Sequence, residues 1–343
     1  MMGPVLFVTH GSRRVGFGHV RRCLSLAVAL RKRSVGCEFL LDGDATVAEI
    51  VSGSGFDCTM TKNGASDAIE AVRRIQELAP AAVVADSYTF TTDYLQRLTE
   101  AGRPVVAIDD LADRELPVAT VVNCTVGMDA GAYRSTSPAR LLLGPTYALL
   151  RPEFAEEPNR SFPVHVGTVL LTLGGSDPAN LMPRLMRWVA AELEPVHLNV
   201  VAGPLSDDLN EIRAEAAAIG PRALVHERPD DMRGLMLNAD LAVSGGGQTL
   251  YELAATATPT VAIRLADNQT SNLVGFEAAR VLTWAGDAQE GDLEAKVRTH
   301  VRRLAKDPQE RAAMAAAGRS LVDGRGAGRV AAAVAELAGQ ERD

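Results

Sequence analysis

The chain has 343 residues, 35 of them Lys or Arg against 43 Asp or Glu, for a formal net charge of −8. At about 100–200 residues per domain, this length predicts two domains, each large enough to bury its own core. A hydrophobic share of 47 % with 23 % charged residues excludes a wholly disordered chain, and the acidic balance argues against broad nucleic-acid or anionic-membrane binding, which needs a positive field, while leaving room for a local phosphate pocket.

The opening Met1-Met2-Gly3-Pro4-Val5-Leu6-Phe7-Val8 lacks a basic segment and a small-residue cleavage site, so it reads as a first strand and not as a signal peptide. No run reaches the roughly 18 apolar residues of a membrane span. Cys23, Cys37, Cys58 and Cys124 show no Cys-x-x-Cys pairing, which points to reduced thiols, a cytoplasmic chain and no zinc site.

Short β-branched runs then alternate with amphipathic segments, the pattern of parallel strands joined by crossover helices. Strands are expected at Val5–Thr9, Glu38–Leu41, Ala82–Ala85, Val105–Ile108, Thr120–Val122 and Arg140–Leu143, and helices at His19–Arg31, Thr46–Ser52, Ala65–Leu78 and Thr92–Ala101. In the first helix Val20, Cys23, Leu24, Ala27 and Leu30 mark one apolar face at the helical period.

From Gly144 to Pro163 four prolines break this rhythm, and the stretch reads as an extended connection. The rhythm restarts with strands at Gly167–Thr172, His197–Val201, Ala223–His226, Leu241–Ser244, Thr260–Ile263 and Val281–Thr283. Helices are expected at Leu181–Leu193, Asp208–Ile219, Asp231–Leu237, Thr249–Ala255, Gln269–Ala279 and Leu293–Ala305, with two more to follow. The division expected is a Rossmann-like domain over 1–150, a linker over 151–165, a second Rossmann-like domain over 166–325, and a last helix within 326–343. In such doubly wound sheets ligands bind beyond the carboxyl ends of the strands, so chemistry is sought just after each strand.

The first strand exits into Thr9-His10-Gly11-Ser12-Arg13-Arg14-Val15-Gly16-Phe17-Gly18-His19. Gly16 and Gly18 free the backbone for positive φ and close approach of a ligand, and the helix N-terminus offers N–H groups to an anion. Arg21 occupies the third glycine position of the dinucleotide fingerprint, which weakens an NAD reading. His19, at the strand-to-helix switch, is either a first-turn polar residue or a proton-transfer group.

Two further glycine turns, Gly174-Gly175-Ser176 and Gly245-Gly246-Gly247-Gln248-Thr249, each follow a strand and suit a diphosphate. Glu252, one helical turn on, is placed either for a ribose diol or as a solvated helix glutamate. Asp86-Ser87-Tyr88, Asp109-Asp110 and Asn268-Gln269 also follow strands, where they orient a substrate or simply cap and turn the chain. Asp42-Gly43-Asp44 is discounted as a metal motif, and His165, His197, His226 and His300 lack metal-ligand spacing.

Taken in order, these segments resemble a known family. Gly16-Phe17-Gly18-His19-Val20-Arg21-Arg22-Cys23-Leu24, the Asp86-Ser87-Tyr88 turn, Ile108-Asp109-Asp110-Leu111-Ala112, Gly144–Phe154, Gly174–Asn180, Gly246–Glu252, Asn268-Gln269 and Val322–Ala327 are similar to the nucleotide-sugar hydrolases of the pseudaminic acid pathway. Those hydrolases act on UDP-2,4-diacetamido-2,4,6-trideoxy-β-L-altropyranose. The spore-coat polysaccharide proteins grouped with them are similar too. More distantly, the chain resembles the transferase that adds N-acetylglucosamine to the peptidoglycan lipid precursor.

The resemblance implies an α/β GT-B fold, two Rossmann-like doubly wound domains facing across a cleft, with UDP held by the second, nucleotide-binding domain over 166–325, a last helix within 326–343 that crosses back to the first domain, and no metal or cofactor beyond the UDP-sugar substrate. It implies that His19 is the base, that Tyr88 and Asn268 are catalytic, and that Gly174, Gly175, Ser176, Gly246, Gly247, Gln248, Thr249 and Glu252 bind UDP. Gly16, Gly18, Arg13, Arg14, Asp86 and Gln269 fall on the sugar or acceptor side. The chain departs from the family where its hydrolases read Arg-Ala-Asp and it reads Thr9-His10-Gly11, with Arg13 and Arg14 following.

The function expected is cleavage of the C1–O bond of a UDP-activated amino or deoxy sugar by water, with inversion. A glycosyltransferase on the same scaffold and a non-catalytic UDP-sugar-binding subunit are the alternatives. The sugar, the acceptor, the pathway and the oligomeric state are left open.

Overall fold

The computed structural model describes residues 3–12, 17–61, 68–133, 139–175, 177, 179–203, 206 and 209–340. The chain divides into two compact units, Met1–Pro152 with Gly324–Asp343, and Glu153–Asp323.

The first unit runs β1 (Val5–Gly11), α1 (Gly18–Arg31), β2 (Cys37–Gly43), α2 (Ala45–Gly53), β3 (Asp57–Met60), α3 (Ile69–Leu78), β4 (Ala82–Asp86), α4 (Thr92–Glu100), β5 (Val105–Ile108), β6 (Thr120–Asn123) and β7 (Arg140–Leu143). The strands form one parallel sheet in the order β3-β2-β1-β4-β5-β6-β7. Strands buried on both faces, such as Ala82–Asp86 and Val105–Ile108, carry near-continuous apolar runs because helices cover each side. Leu6, Val8, Val83, Ala85, Val105 and Ala107 meet Ile75, Leu95 and Leu98 in one core.

The second unit runs β8 (Thr168–Thr172), α5 (Met182–Glu192), β9 (His197–Ala202), α6 (Leu209–Ile219), β10 (Ala223–Glu227), α7 (Met232–Leu237), β11 (Leu241–Gly245), α8 (Thr249–Ala255), β12 (Thr260–Arg264), α9 (Thr270–Ala278), β13 (Leu282–Asp287), α10 (Leu293–Lys306) and α11 (Pro308–Leu321). Its parallel sheet has the order β10-β9-β8-β11-β12-β13. Each sheet therefore reverses its winding once, between β1 and β4 in the first unit and between β8 and β11 in the second.

The last helix, α12 (Gly326–Gln340), belongs to the first unit, where it packs on α1 and β4. It buries Val330, Ala331, Ala333 and Val334 completely or nearly so. Arg329 donates to the carbonyl of Thr146 at 2.8 Å, and Arg140 pairs with Glu336 at 2.6 Å.

Three local expectations change. β3 was not expected: Asp57-Cys58-Thr59-Met60 has no apolar run, because it is an exposed edge strand held by main-chain pairing to β2 alone. The 144–163 connection is not simply extended, since 3-10 turns form at Pro145–Tyr147 and Pro152–Ala155, proline being suited to a first helical position. Its later part is docked on the second unit. Arg160 reaches the carbonyls of Met236 (2.8 Å) and Ala239 and the hydroxyl of Thr258 (3.0 Å), and burial pushes its guanidinium down to about 10. Finally, α1 buries more than one stripe. Lying between the sheet and α12, it hides the polar His19, Arg22 and Ser25 beside Val20, Cys23 and Leu30. No helix among the described residues is long and apolar enough to cross a membrane.

Candidate active site

In the first unit the winding reverses between β1 and β4: Asp86, the last residue of β4, pairs with Thr9 in the register, β1 runs on to Gly11, and the Thr9 hydroxyl donates to the Asp86 carbonyl at 3.1 Å. α1 begins at Gly18 without a side-chain cap. His19, Arg22 and Cys23 stand at i, i+3 and i+4, so one face of its first turns lies over the end of β4. The Gly18 Cβ position is open, with nothing within 4 Å, and its φ is not positive, contrary to expectation.

Three polar side chains meet there, nearly sealed from solvent: His19 is 4 % exposed, Arg22 5 % and Asp86 0 %. His19 Nδ1 lies 2.7 Å from Asp86 Oδ1. Arg22 donates from Nε to Asp86 Oδ2 and from Nη2 to Oδ1, each at 2.6 Å. Its Nη1 donates to both oxygens of Asp110, at 2.7 and 2.8 Å. The Tyr88 hydroxyl donates to Asp110 Oδ2 at 2.8 Å, and the Tyr88 ring stands edge-on to His19 with centroids 4.4 Å apart.

Burial alone would push the Asp86 carboxyl up, but Arg22 and His19 outweigh it and hold the group well below the usual carboxylate range. Burial would likewise lower Arg22, and Asp110 and Asp86 raise it well above its ordinary value instead. Asp86 is therefore an ionised acceptor, so the neutral His19 ring carries its proton on Nδ1 and a lone pair on Nε2. No described residue bonds that Nε2. Cys23, 3.5 Å from Asp86 Oδ2, is pushed well up by burial and by that carboxylate, and packs as a protonated thiol.

Asp109 and Asp110 part company. Asp109 accepts from the Ala112 N–H (2.8 Å) and from the Tyr133 hydroxyl (2.9 Å), which itself receives Asn123 Nδ2 at 2.7 Å. Asp110 faces Arg22 and Tyr88. His10 lies with Nε2 3.9 Å from Asp42 Oδ2, and burial lowers its ring's proton affinity despite that carboxylate.

In the second unit the winding reverses between β8 and β11, and both glycine turns follow those strands. Gly174 takes φ +94°. A Cβ on Gly203, after β9, would stand 2.5 Å from the carbonyl oxygens of Gly174 and Gly175, so the two backbones approach at the limit glycine allows. Gln269 Oε1 accepts from Gly246 N–H at 3.1 Å and from Leu265 N–H at 2.9 Å, tying the turn after β11 to the turn after β12. The expectation placed Gln269 on a sugar and the Gly246 amide on a phosphate; here each engages the other. Gly247 is less crowded, its Cβ position meeting nothing nearer than Gln269 Nε2 at 3.9 Å.

Thr249 and Glu252 are 6 % and 2 % exposed, so Glu252 is a buried residue under the turn and not a solvated one. Gln248 is half-buried, and Asn268 is exposed in the 3-10 turn Asp267–Gln269. Arg13, Arg14, Gly16 and Ser176 lie outside the described residues. The structure thus brings together His19, Asp86 and Tyr88 in one unit, and Gly246 with Gln269 in the other. Sequence reasoning did not single out Arg22 as a site residue. The signal was its position three residues after His19, beside the apolar Cys23.

No protein-family model matches the chain. It is 27 % identical to an uncharacterised protein of Methanocaldococcus jannaschii over 76 % of this chain and 55 % of that protein. To the spore coat polysaccharide biosynthesis protein SpsG of Bacillus subtilis it is 26 % identical over 71 % of this chain and 72 % of that one. To the pseudaminic acid cytidylyltransferase and UDP-2,4-diacetamido-2,4,6-trideoxy-beta-L-altropyranose hydrolase of Helicobacter pylori it is 23 % identical over 77 % of this chain but 44 % of that one. The chain thus spans about half the length of two of these relatives. The crystal structure of Acinetobacter baumannii MurG superposes with a TM-score of 0.66 over 97 % of this chain and 99 % of that chain, at 15 % identity. The chain has the GT-B fold, built of two Rossmann-like parallel α/β domains, and its relatives include the spore-coat polysaccharide and pseudaminic acid UDP-sugar hydrolase proteins.

Proposed function

We propose that the chain is an enzyme that uses a nucleotide sugar, breaking the C1–O bond of a UDP-activated amino or deoxy sugar with water and inverting C1. The observation that carries this reading is the buried His19–Asp86 pair, whose ionised carboxylate fixes Nδ1–H and leaves Nε2 as a base. Nε2 takes a proton from water as its oxygen bonds to C1, and the C1–O electron pair leaves with UDP. Asp86 stays ionised and offsets the imidazolium that forms, as an orienting carboxylate does beside a catalytic histidine.

The turns at 174–176 and 245–249 are the proposed diphosphate cradle, where main-chain N–H groups favour the charge that gathers on the leaving group. Glu252 is the proposed ribose partner, and Tyr88 and Asn268 the groups that orient sugar or water.

Transfer to an acceptor hydroxyl or amine is the second reading. It is favoured by Thr9-His10-Gly11 standing where the hydrolases that the chain resembles read Arg-Ala-Asp. Incubation with a panel of UDP-sugars separates the two: free sugar and UDP without acceptor support hydrolysis, and UDP release only after acceptor is added supports transfer. The His19→Ala variant is expected to keep its affinity for UDP and to lose turnover by about 10²–10⁴-fold. UDP binding by calorimetry with no turnover of any donor would overturn the enzyme reading in favour of a binding subunit.

A further inference from the structure

We infer that Arg22 is a positioning residue that sets the tautomer and aim of His19, by gripping Asp86 with two nitrogens and anchoring the third on Asp110. In its catalytic consequence this rests on the reading of His19 as the base; in its structural consequence it does not.

The contacts form a closed ring. His19 meets Asp86 (2.7 Å), Asp86 meets Arg22 (2.6 Å twice), Arg22 meets Asp110 (2.7 and 2.8 Å), Asp110 meets the Tyr88 hydroxyl (2.8 Å), and the Tyr88 ring returns to His19 (4.4 Å between centroids). The side-on grip through Nε and Nη2 fixes the plane of the Asp86 carboxylate, so Oδ1 can meet His19 Nδ1 in one orientation only. Asp110 holds the far end of the guanidinium, and a planar five-donor fork is the one side chain that spans both carboxylates in this way. A lysine would restore the charge but not the span. A purely neutralising role and a positioning role therefore differ in what lysine rescues.

Among the described residues, the titratable groups around His19 are Arg22 and Cys23 from α1, Asp86 and Tyr88 from β4 and its turn, Asp110 after β5, and His10 from β1. Arg22 Nη2 stands 3.2 Å from His19 Nδ1. Replacing the guanidinium by lysine keeps the charge and loosens the geometry.

The test is long-range proton–nitrogen NMR of the six histidines in the full chain, with His19 assigned by its loss in His19→Gln. The wild type is expected to show neutral His19 as the Nδ1–H form. Arg22→Lys and Arg22→Met should each give a mixture of tautomers, since neither side chain holds both Asp86 and Asp110. If Arg22→Met does not fold, Asp110→Asn, which frees the far end of the guanidinium, should also mix the tautomers. An unchanged His19 tautomer in folded Arg22→Lys and Asp110→Asn overturns the inference. With a UDP-sugar that the wild type turns over, Arg22→Lys should lower kcat about 10–100-fold and leave KM unchanged. If no UDP-sugar is turned over by the wild type, the functional reading fails while the spectra still decide the role of Arg22.

Discussion

The two sheets reverse their winding in the same way and furnish their strand ends in opposite ways. After β1 and β4 the first unit gathers polar and charged side chains: a carboxylate with no exposed surface that is bonded by both an arginine and an imidazole. After β8 and β11 the second unit offers glycine backbone, braced by one carboxamide oxygen that receives two N–H groups. One topology can therefore present a titratable centre or a main-chain surface, and the residues just past the strands decide which. A side-chain centre is sensitive to charge and protonation, and a main-chain surface to the volume of a single methyl group.

The sharpest break of this contrast is Asp86→Asn. It removes the acceptor that fixes the His19 tautomer and leaves Arg22 with one carboxylate. Turnover is expected to fall about 10³–10⁴-fold, and stability by about 3–5 kcal/mol as a buried pair is broken, both readable by kinetics and urea melts. Because the Asp86 carboxyl is held below its ordinary value, its contribution to stability is complete above pH about 4 and is lost as the pH falls through the folded value. The decline of wild-type stability on acidification should therefore be shallower in Asp86→Asn. A parallel decline in both proteins would place the acid-sensitive group elsewhere.

The second unit should respond to bulk. Gly246→Ala puts a Cβ 2.9 Å from both Gln269 Oε1 and Leu273 Cδ1, and should cost about 1–3 kcal/mol in a thermal melt. Gly247→Ala, with 3.9 Å to spare, should leave the melt unchanged. Loss of UDP affinity in Gly247→Ala at full stability would mark that position as lying against the nucleotide.

Gly18→Ala sharpens the comparison from the other side. Its Cβ meets nothing within 4 Å and its φ is ordinary, so the variant should gain up to about 1 kcal/mol from helix propensity. A fall in turnover despite that gain would mean that substrate occupies the space. The smallest effect is expected of Arg140→Ala. Its pair with Glu336 is half exposed on both sides, and loss of such a pair should cost below about 1 kcal/mol.

The fold was largely legible because buried parallel strands must be apolar throughout. Val105–Ile108 and Thr260–Arg264 announce themselves in this way. β3 could not, since an edge strand with exposed side chains needs only main-chain partners. Of the site, His19, Asp86 and Tyr88 were each visible as residues at strand ends, but not their convergence, which depends on β1 lying beside β4. Arg22 looked like one more charge on an amphipathic helix. Its partners Asp86 and Asp110 come from the ends of β4 and β5, and its helix is one that α12 also covers from some 300 residues along the chain. Glu252 read equally as a surface residue, because burial under a turn leaves no periodic trace.

That covering helix carries a consequence for assembly. Residues 326–340 emerge from a ribosome only after the whole of the second unit, yet Val330, Ala331 and Val334 complete the packing around the helix that bears His19 and Arg22. The first unit therefore waits, with an uncovered apolar flank, while the second is synthesised. The half of the molecule that is made first is the half that is finished last.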